Sequence, residues 1–426
     1  MSESYWQREA RWCDRWHDAA IPPRVEFAVL GGGLSGLSTA IRLRELHPGA
    51  DIVLLEAERV GYGASGRNAG FLSPLAAPVW LLGAERAPDQ AWAATRINED
   101  VHATARWLAE TMPASEICAA RLSIDATGRL SDCGLSEFAH ALERIGLAHQ
   151  LTESRARPGH VSLAMDAYTV HPYKLVRGLA EHAVRAGVQL RERARVRAVE
   201  AAPGGARVRL DGGAEVVARK VIVCTNAYTS SLELGERMRA AVIHSFMLAS
   251  APLDRTALEK LVRGGDFTVE LDTDQVFHRM HADRLLYGGI DKLLAPTGGD
   301  FAVPDRVRAR LVTHLRDSFP GIDGITATEA WAGRFHATAS GLPIIRPSAT
   351  NPAVILNVGY GGTGVALALV CARLAAAVAS DRPAANRDDA RLLAIIQGTR
   401  ISVRDSVRTI GRLVRGLAHP ARAFRS

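Results

Sequence analysis

Short apolar runs and helical periodicity alternate at the start of the chain. Residues 25–30 form an apolar run that ends in the glycine-rich stretch 31–36. Residues 37–46 then carry apolar side chains at helical spacing, and a second apolar run follows at 51–56. This order predicts a β-α-β unit in which the helix begins directly behind three glycines.

A later block has the same order of elements. Its helix is expected at 174–186, where apolar residues again recur at helical spacing. Strands are expected after this helix near 188–193, 195–200, 206–210 and 220–224.

A third block lies near the C-terminus. It has an apolar strand at 353–358, a second glycine cluster at 359–364 and a helix from 365 to about 380. Between the three blocks, residues 76–165 and 231–325 have a less regular pattern. We expect these two stretches to form a second domain that is inserted into the first.

The composition is that of a globular protein, with 47% apolar and 23% charged residues. Five cysteines without a C-x-x-C pair exclude a dense disulfide framework and a cysteine-rich zinc site, so we expect reduced thiols in a cytoplasmic protein. The polar N-terminus has no signal-peptide pattern. Residues 347–372 are uncharged, but Asn357 and the second glycine cluster argue against a membrane-spanning helix.

The net charge of +7 is concentrated at the C-terminus. Six arginines and one aspartate in 401–426 supply +5, so the rest of the chain is near neutral, which argues against nucleic-acid binding. Apolar residues there recur at 4-3-4-3 spacing beside the arginines, which predicts a basic amphipathic helical extension within 386–426. Such a helix suits a partner protein, a second subunit or an anionic membrane surface; docking on its own domain is the alternative.

The first glycine cluster has the spacing Gly31-x-Gly33-x-x-Gly36. Glycine permits a tight turn and a close approach of the backbone to a pyrophosphate, whose charge faces the N–H groups of the following helix. Glu56 lies twenty residues after Gly36 at the end of the next strand, where a carboxylate accepts ribose hydrogen bonds. These features together predict a dinucleotide site; the alternative is a similar turn that binds no nucleotide.

A glycine-rich loop at 60–70 follows the acidic residue immediately. A nicotinamide dehydrogenase would continue its sheet at this point. A long loop of small residues instead favours an extended backbone that passes beneath a larger cofactor, a flavin. Arg67 and Asn68 among these small residues make the alternative, a flexible surface loop, less attractive.

These motifs resemble those of the FAD-dependent oxidases of the D-amino-acid oxidase superfamily, which includes glycine, sarcosine and gamma-glutamylputrescine oxidases. The segments that carry the resemblance occur in the family's order: 31–36, 54–56, 64–70, Val196, 225–227, 331–333 and 359–364. The resemblance implies an α/β fold with a Rossmann-like FAD-binding domain assembled from the discontinuous segments 1–75, 166–230 and 326–385. A mixed-sheet α+β substrate domain would comprise 76–165 and 231–325.

The resemblance also implies which residues hold FAD. Gly31, Gly33 and Gly36 would lie at the pyrophosphate, Glu56 at the adenosine ribose, and the backbone of Val196 at adenine. The second glycine cluster would begin a helix whose N-terminal dipole stabilises negative charge at the flavin N1–C2 carbonyl. Other expected cofactor contacts are Leu34, Ser35, Ala57, Ser65, Arg67, Asn68, Ala69, Gly70, Thr225, Ala227, Gly333, Gly359, Gly361, Gly362, Thr363, Gly364 and Val365.

Two departures from the family pattern concern the attachment of the cofactor. Relatives with covalent FAD have a histidine where this chain has Arg67-Asn68, and sarcosine oxidases have a late cysteine. The first cysteine after Trp331 is Cys371, inside a helix that we expect to be buried. FAD is therefore expected to be non-covalent.

A third departure concerns the substrate carboxylate. Amino-acid-oxidising relatives hold it with an arginine in a position that is Phe335 here, and Arg334 lies one residue early. Because a one-residue shift in a strand reverses the face, a carboxylate clamp is doubtful. Through Thr338 and the following residues the chain aligns better with the gamma-glutamylputrescine oxidase type. That type has an acidic residue at the position where this chain has His336.

Candidates on the substrate side are Arg279, Tyr287, Arg334, His336 and Tyr360. Residues 277–289 read as a hairpin that faces the flavin, with Arg279 or Tyr287 orienting the substrate. An ordinary sheet with alternating polar and apolar positions is an equal alternative. His336 and Tyr360 would bind substrate or serve as structural groups, and no metal site is predicted.

The sequence therefore predicts a FAD-dependent amine or amino-acid oxidoreductase. A neutral amine would pass hydride to flavin N5, and the resulting imine would hydrolyse, with positioning as the main contribution of the protein. Molecular oxygen is the expected acceptor, although 285–288 lacks the lysine that activates oxygen in sarcosine-type oxidases. The alternatives are a dehydrogenase that reduces a quinone or protein, and an RNA- or membrane-associated protein with an accessory FAD module.

Overall fold

The computed structural model describes residues 3–398 except 12–14, 17–19, 75–87, 127–131, 154–160, 237, 239, 263–266, 272–275, 290–292, 295–301, 321, 323–324 and 339. Of the helical extension predicted at 386–426, residues Arg387–Gly398 form a helix, and the basic part from 399 onward lies outside the described residues.

The elements follow one another along the chain as strands in two sheets and helices between them. The strands are β1 (Arg24–Leu30), β2 (Ile52–Leu55), β3 (Phe71–Leu72), β4 (Cys118–Ala126), β5 (Gln150–Glu153), β6 (Val161–Thr169), β7 (Gln189–Arg191), β8 (Val196–Ala202), β9 (Gly205–Leu210), β10 (Glu215–Val223), β11 (Ala240–Ser250), β12 (Phe267–Leu271), β13 (Phe277–His281), β14 (Arg284–Gly288), β15 (Leu293–Leu294), β16 (Ala327–Thr338), β17 (Ile344–Pro347) and β18 (Val354–Val358). The helices are α1 (Tyr5–Glu9), α2 (Leu34–Leu46), α3 (Pro88–Thr111), α4 (Asp132–Arg144), α5 (Pro172–Arg185), α6 (Arg255–Val262), α7 (Asp305–Ser318), α8 (Gly364–Ala379) and α9 (Arg387–Gly398).

The first sheet has the strand order β17-β18-β10-β1-β2-β7, and β8 and β9 extend it from β10. The neighbours from β18 to β7 are parallel, and β17 is antiparallel to β18. Parallel strands are covered on both faces, which explains why these strands are continuous apolar runs in the sequence. Phe27 and Val29 pack under the helices, and Ala28 and Leu30 pack on the opposite side.

Helix α2 begins three residues earlier than the sequence predicts. The expected start was residue 37, whereas the helix begins at Leu34 with Gly33 as its N-cap. Gly36 therefore lies in the first helical turn and not in a loop before it. The apolar periodicity starts only at Leu37, which is why the pattern alone misplaces this boundary.

The second sheet has the order β15-β11-β14-β13-β12-β4-β6-β3, with β16 paired to β11 and β5 to β6. Strands β12 and β4 are parallel and their neighbours antiparallel, so the sheet is mixed, as expected. Helix α7 covers one face, where Phe246 and Leu311 are buried together. On the other face Met247 and Trp331 pack against Trp6 of α1.

The strand β16 and the helix α3 each lie against the other sheet from the one that the predicted domain borders imply. The segment 326–385 was expected in the FAD-binding domain, but β16 pairs along its length with β11 of the second sheet. These strands have 12 and 11 residues and match each other in length, whereas the longest strand of the first sheet has nine. Helix α3, expected in the substrate domain, buries Ile97 and Val101 in the helical layer of the first sheet.

Among the helices that the structure describes, none is both long and apolar enough to cross a membrane. This includes α8, which is apolar apart from Arg373 and is buried within the helical layer of the first sheet.

Candidate active site

Four predicted motifs follow the carboxyl ends of adjacent parallel strands. Gly31 follows β1, Glu56 follows β2, Thr225 follows β10 by one residue, and Gly359 follows β18. Because β18, β10, β1 and β2 are neighbours, these motifs meet at one edge of the sheet. Ligands of parallel α/β sheets bind at this edge, which is called the cofactor edge below.

The turn between β1 and α2 accommodates only glycine. Gly31 has a φ of +109°, and a Cβ on Gly36 would lie 1.9 Å from the carbonyl oxygen of Gly31. The N-cap residue Gly33 has no side chain that could bond to the first turn of the helix, so the N-terminus of α2 suits an anion. Leu34 and Ser35 form the first helical residues behind it.

Glu56 turns its carboxylate back towards this glycine turn. Oε2 accepts from the N–H of Gly32 at 2.6 Å, and Oε1 accepts from the N–H of Glu58 at 2.9 Å. Burial raises the pKa of the carboxyl to about 7, although the two N–H groups favour its charged form. The acid and the adjacent Ala57 thus lie beside the turn, as the spacing of the motif requires.

The start of β8 lies next to the same acid. The N–H of Ala194 donates to the carbonyl oxygen of Glu56 at 2.8 Å, and Val196 follows two residues later with 8% of its surface exposed. The structure therefore brings Val196 to the site from a distant part of the chain.

The glycine-rich loop predicted at 60–70 follows the buried Val60, is called the 61–70 loop below, and packs against the beginning of α2. Ser65 Oγ accepts from the N–H of Leu34 at 3.0 Å, and Arg67 is only 2% exposed. Asn68 Nδ2 donates to carbonyl oxygens within the loop, and its Oδ1 accepts from the N–H of Gly70 at 2.8 Å. This segment is an ordered part of the site and not a flexible surface loop.

The second glycine cluster forms the turn that leads into α8. Positive φ angles occur at Gly359, Gly361 and Gly362. Thr363 is the N-cap of α8 and makes no side-chain bond to the helix, which continues with Gly364 and Val365. The site therefore has a second helix N-terminus with a glycine-lined approach.

Tyr360 lies inside this cluster but does not face an open pocket. Its hydroxyl donates to Asn357 Oδ1 and lies 3.3 Å from Ser35 Oγ. Burial raises the pKa of the phenol well above its usual value. Tyr360 was predicted to contact the substrate, but it is buried and links the second glycine cluster to β18 and to the beginning of α2.

The segment after β10 carries a side chain that the sequence analysis did not select. Thr225 Oγ1 lies 2.9 Å from Thr229 Oγ1, and Ala227 is buried. Between them Asn226, with a φ of +44°, places its Oδ1 3.3 Å from the N–H groups of His336 and Gly359. Asn226 thereby ties β16 to the second glycine cluster; an asparagine behind an apolar strand is the signal that could have identified it.

Alternate residues of β16 span the space between the two glycine-rich segments. A Cβ on Gly333 would lie 3.8 Å from Cβ of Arg67, and a Cβ on Gly362 would lie 3.5 Å from the ring of Phe335. Because side chains two residues apart share one face of a strand, Gly333 and Phe335 face the cofactor edge together.

Arg334 and His336 occupy the intervening positions of β16. The Arg334 guanidinium lies 3.8 Å from the centre of the Tyr228 ring, and the residue is 8% exposed. His336 is 1% exposed, and its Nδ1 has no hydrogen-bond partner in the described part of the chain. Burial lowers the pKa of His336 to about 4, so the ring is neutral at neutral pH.

The two candidates on the hairpin β13–β14 are separated by the sheet. Arg279 donates from Nη1 to the carbonyl oxygens of Gly70 and Val170, each at 3.0 Å. Tyr287 packs on the opposite face beneath α7, where its hydroxyl lies 3.0 Å from Ser318 Oγ. Tyr287 therefore lies away from this site. Arg279 instead binds the end of the 61–70 loop through the carbonyl oxygen of Gly70.

Within the described ranges, no group of three or more His, Cys, Asp or Glu side chains is arranged to hold a metal ion. The donor set instead fits FAD: two helix N-termini whose N-cap residues make no side-chain bond to the helix, a buried carboxylate beside the first, and glycines where a Cβ would obstruct the approach.

Comparisons with known proteins agree with this arrangement. The sequence profile of the family described as "DAO: FAD dependent oxidoreductase" matches residues 26–378. The chain is 31% identical over 385 residues to Gamma-glutamylputrescine oxidoreductase of Escherichia coli (strain K12), which covers 82% of each chain. It is 28% identical over 389 residues to "Probable oxidoreductase OrdL" of Rhizobium meliloti (strain 1021), which covers 85% of this chain and 87% of the relative.

The fold is also similar to that of a solved structure, glycine oxidase from Geobacillus kaustophilus. The TM-score is 0.72 at 19% identity, and the similarity covers 89% of this chain and 100% of the other. With its matched profile, its cofactor edge and this fold, the chain belongs to the DAO family of FAD-dependent oxidoreductases.

Proposed function

We propose that the protein oxidises the C–N bond of an amine that carries no essential α-carboxylate, with molecular oxygen as the electron acceptor. The observation that carries this proposal is the side chain of Phe335, which meets the second glycine cluster from β16 at the position expected for a carboxylate-binding arginine. An aromatic wall favours an uncharged substituent at that place.

The two arginines considered as substitutes for the clamp are engaged elsewhere. Arg279 donates to main-chain carbonyl oxygens behind the 61–70 loop, and Arg334 stacks on Tyr228. A substrate carboxylate would need one of them to leave these contacts, and each charge-assisted hydrogen bond is worth about 1.5–3 kcal/mol. The relative with 31% identity is named for an oxidoreductase of gamma-glutamylputrescine, which is an amine derivative.

We assign FAD to the residues of the cofactor edge. The pyrophosphate would be held at Gly31–Gly36, the ribose at Glu56, and the flavin ring between the 61–70 loop and the second glycine cluster. When bound, FAD accepts a hydride from the carbon next to the substrate nitrogen. The N-terminus of α8 would stabilise the negative charge on the flavin ring.

Neither His336 nor Tyr360, the two candidate side chains near the second glycine cluster, is a base strong enough to take a proton from the substrate at neutral pH. His336 is neutral at neutral pH because burial lowers its pKa to about 4, and burial holds Tyr360 in its protonated form. The amine is therefore expected to bind in its deprotonated form, and the protein orients its C–H bond and excludes water.

The substrate assignment is tested by mixing the purified yellow protein without oxygen with primary and secondary amines and with the amino acids that share their side chains. We expect faster flavin bleaching by the amines. Admission of air should then restore the yellow colour rapidly if oxygen is the acceptor; slow recovery, accelerated by a quinone, would contradict that part of the proposal.

Consistently faster bleaching by the amino acids would refute the amine assignment. A loss of that activity in Arg334→Ala, or in an Arg279→Ala protein that retains its flavin, would then identify the carboxylate clamp. Arg121→Ala is the matched control, because Arg121 is an exposed arginine of the same sheet that pairs with Asp166.

Non-covalent attachment of FAD is a further expected result. Cys371 is fully buried in α8, where burial raises the pKa of its thiol to about 12, and the 61–70 loop contains no histidine. A thiol in this state is a poor nucleophile. Acid precipitation should release all flavin into the supernatant; flavin fluorescence that stays with the denatured polypeptide in an electrophoresis gel would show a covalent bond.

A further inference from the structure

Helix α1 contacts the back of the 61–70 loop through three buried side chains. Ser4 Oγ donates to the carbonyl oxygen of Gly66 at 2.9 Å, and Trp6 Nε1 donates to that of Asn68 at 2.8 Å. Gln7, which follows Trp6, donates from Nε2 to the carbonyl oxygen of Gly61 at 3.0 Å. Each donor residue is fully buried, so the bonds of Ser4 and Gln7 form away from water, and that of Trp6 is partly buried.

Two residues of the second sheet complete this set of donors. Trp331 Nε1 donates to the carbonyl oxygen of Arg67 at 2.8 Å. Arg279 Nη1 lies 3.4 Å from the carbonyl oxygen of Ala69 and 3.0 Å from that of Gly70. The main-chain carbonyl oxygens of residues 66–70 are thus all directed at α1 and the second sheet.

This arrangement also fixes the direction of the loop's N–H groups. The described peptide bonds are all trans, and in a trans peptide the C=O and N–H bonds point in opposite directions. Since the carbonyl groups of Arg67 and Asn68 point at two indole rings, the N–H groups of Asn68 and Ala69 point to the other side of the loop.

Helix α1 is held in place by contacts of its own. Its five residues are too few for a stable isolated helix, but Ser4 and Gln7 form a reciprocal capping box. At the other end Glu9 accepts from His171 Nε2 at 2.7 Å and pairs with Lys174 on α5. The helix is therefore anchored at both ends, and Trp6 between these anchors reaches the loop.

We propose that α1 is a clamp that orders the 61–70 loop before FAD binds, with Ser4, Trp6 and Gln7 as positioning residues. The loop contains four glycines, which lose more backbone freedom on ordering than other residues do. The clamp shifts this entropic cost from cofactor binding to folding, so that FAD meets a preformed surface. The proposal concerns cofactor binding alone and does not depend on the identity of the substrate.

The test uses Trp6→Phe, which removes the indole N–H and keeps an aromatic ring in place. The full chain is stripped of FAD and titrated with it, while the quenching of flavin fluorescence gives the Kd. We expect the Kd to rise about tenfold in Trp6→Phe and in Ser4→Ala, the loss expected for one unsatisfied buried acceptor. Trp107→Phe, a half-buried tryptophan of α3, is the matched control and should leave the Kd unchanged.

A merely structural role is distinguished by two further measurements. Thermal unfolding of the FAD-free protein reports stability, and the visible circular dichroism at saturating FAD reports the environment of the bound flavin. The proposal predicts a higher Kd and an altered flavin spectrum in both variants. A lowered melting temperature with unchanged Kd and spectrum would overturn it, and Ser4→Ala decides the matter if Trp6→Phe does not fold.

These outcomes are separable from a failure of the proposed reaction. A protein that binds FAD normally but is not bleached by amines refutes the amine assignment and leaves the clamp intact. A protein whose affinity for FAD is insensitive to Trp6 and Ser4 refutes the clamp, whatever substrate it oxidises.

Discussion

Replacement of Gly36 by alanine is expected to abolish FAD retention. The added Cβ would lie 1.9 Å from the carbonyl oxygen of Gly31 and 3.4 Å from Cβ of Cys224. The first of these is a main-chain atom, so no side-chain rotation relieves the clash. Helix α2 must move away from the end of β1, and its N-terminus then no longer faces the proposed pyrophosphate site. Overpacking alone costs about 1–3 kcal/mol, and the displaced helix end should bring the loss of affinity to about a hundredfold.

The flavin absorbance per protein of purified Gly36→Ala measures this effect. Gly49→Ala is the matched control, because Gly49 follows the same helix and a Cβ there would meet no atom within 4 Å. The control should purify fully yellow and the variant colourless. A yellow Gly36→Ala protein would show that the close approach of α2 to β1 is not required for FAD.

Glu56→Ala is expected to weaken FAD binding while the fold stays largely intact. The carboxylate is oriented by the N–H groups of Gly32 and Glu58. In the proposed arrangement it would accept the ribose hydroxyl groups. Hydrogen bonds to a charged group are worth about 1.5–3 kcal/mol, so the affinity should fall between about tenfold and a hundredfold. Glu58→Ala is the control, since the Glu58 side chain is exposed and pairs with Arg195.

The same carboxylate predicts a pH dependence of cofactor binding. Burial raises the pKa of Glu56 to about 7, so the charged acceptor is present above that pH and is lost as the pH falls through it. FAD should therefore bind more tightly above pH 7 than below it, and this dependence should disappear in Glu56→Ala. Titrations of the FAD-free protein across this range provide the test; a dependence that persists in the variant would assign it to another group.

The cofactor edge was predictable because its requirements are local. The backbone of a single turn requires glycine at positions 31 and 36. The distance along the chain from Gly36 to Glu56 is set by one helix and one strand. The start of α2 at Leu34 is the exception, since its first turn carries the motif and not the apolar stripe.

The substrate side was less predictable because a strand pattern defines two faces without saying what covers each. Arg279 and Tyr287 read alike as hairpin residues, yet one supports the 61–70 loop and the other lies beneath α7. Likewise Tyr360 was placed correctly along the chain, but its contact with Ser35 depends on how α2 packs against the end of β18.

The sequence by itself determined the family, the β-α-β unit, the glycine turns and the position of Glu56, because each depends on residues that are close along the chain. Only the tertiary structure decided that β16 joins the second sheet and that α1 holds the 61–70 loop. Trp6 and Asn68 are 62 residues apart, and Trp331 and Arg67 are 264 apart. Contacts at such separations arise from the burial of whole elements against one another, and no local pattern of polar and apolar residues encodes them.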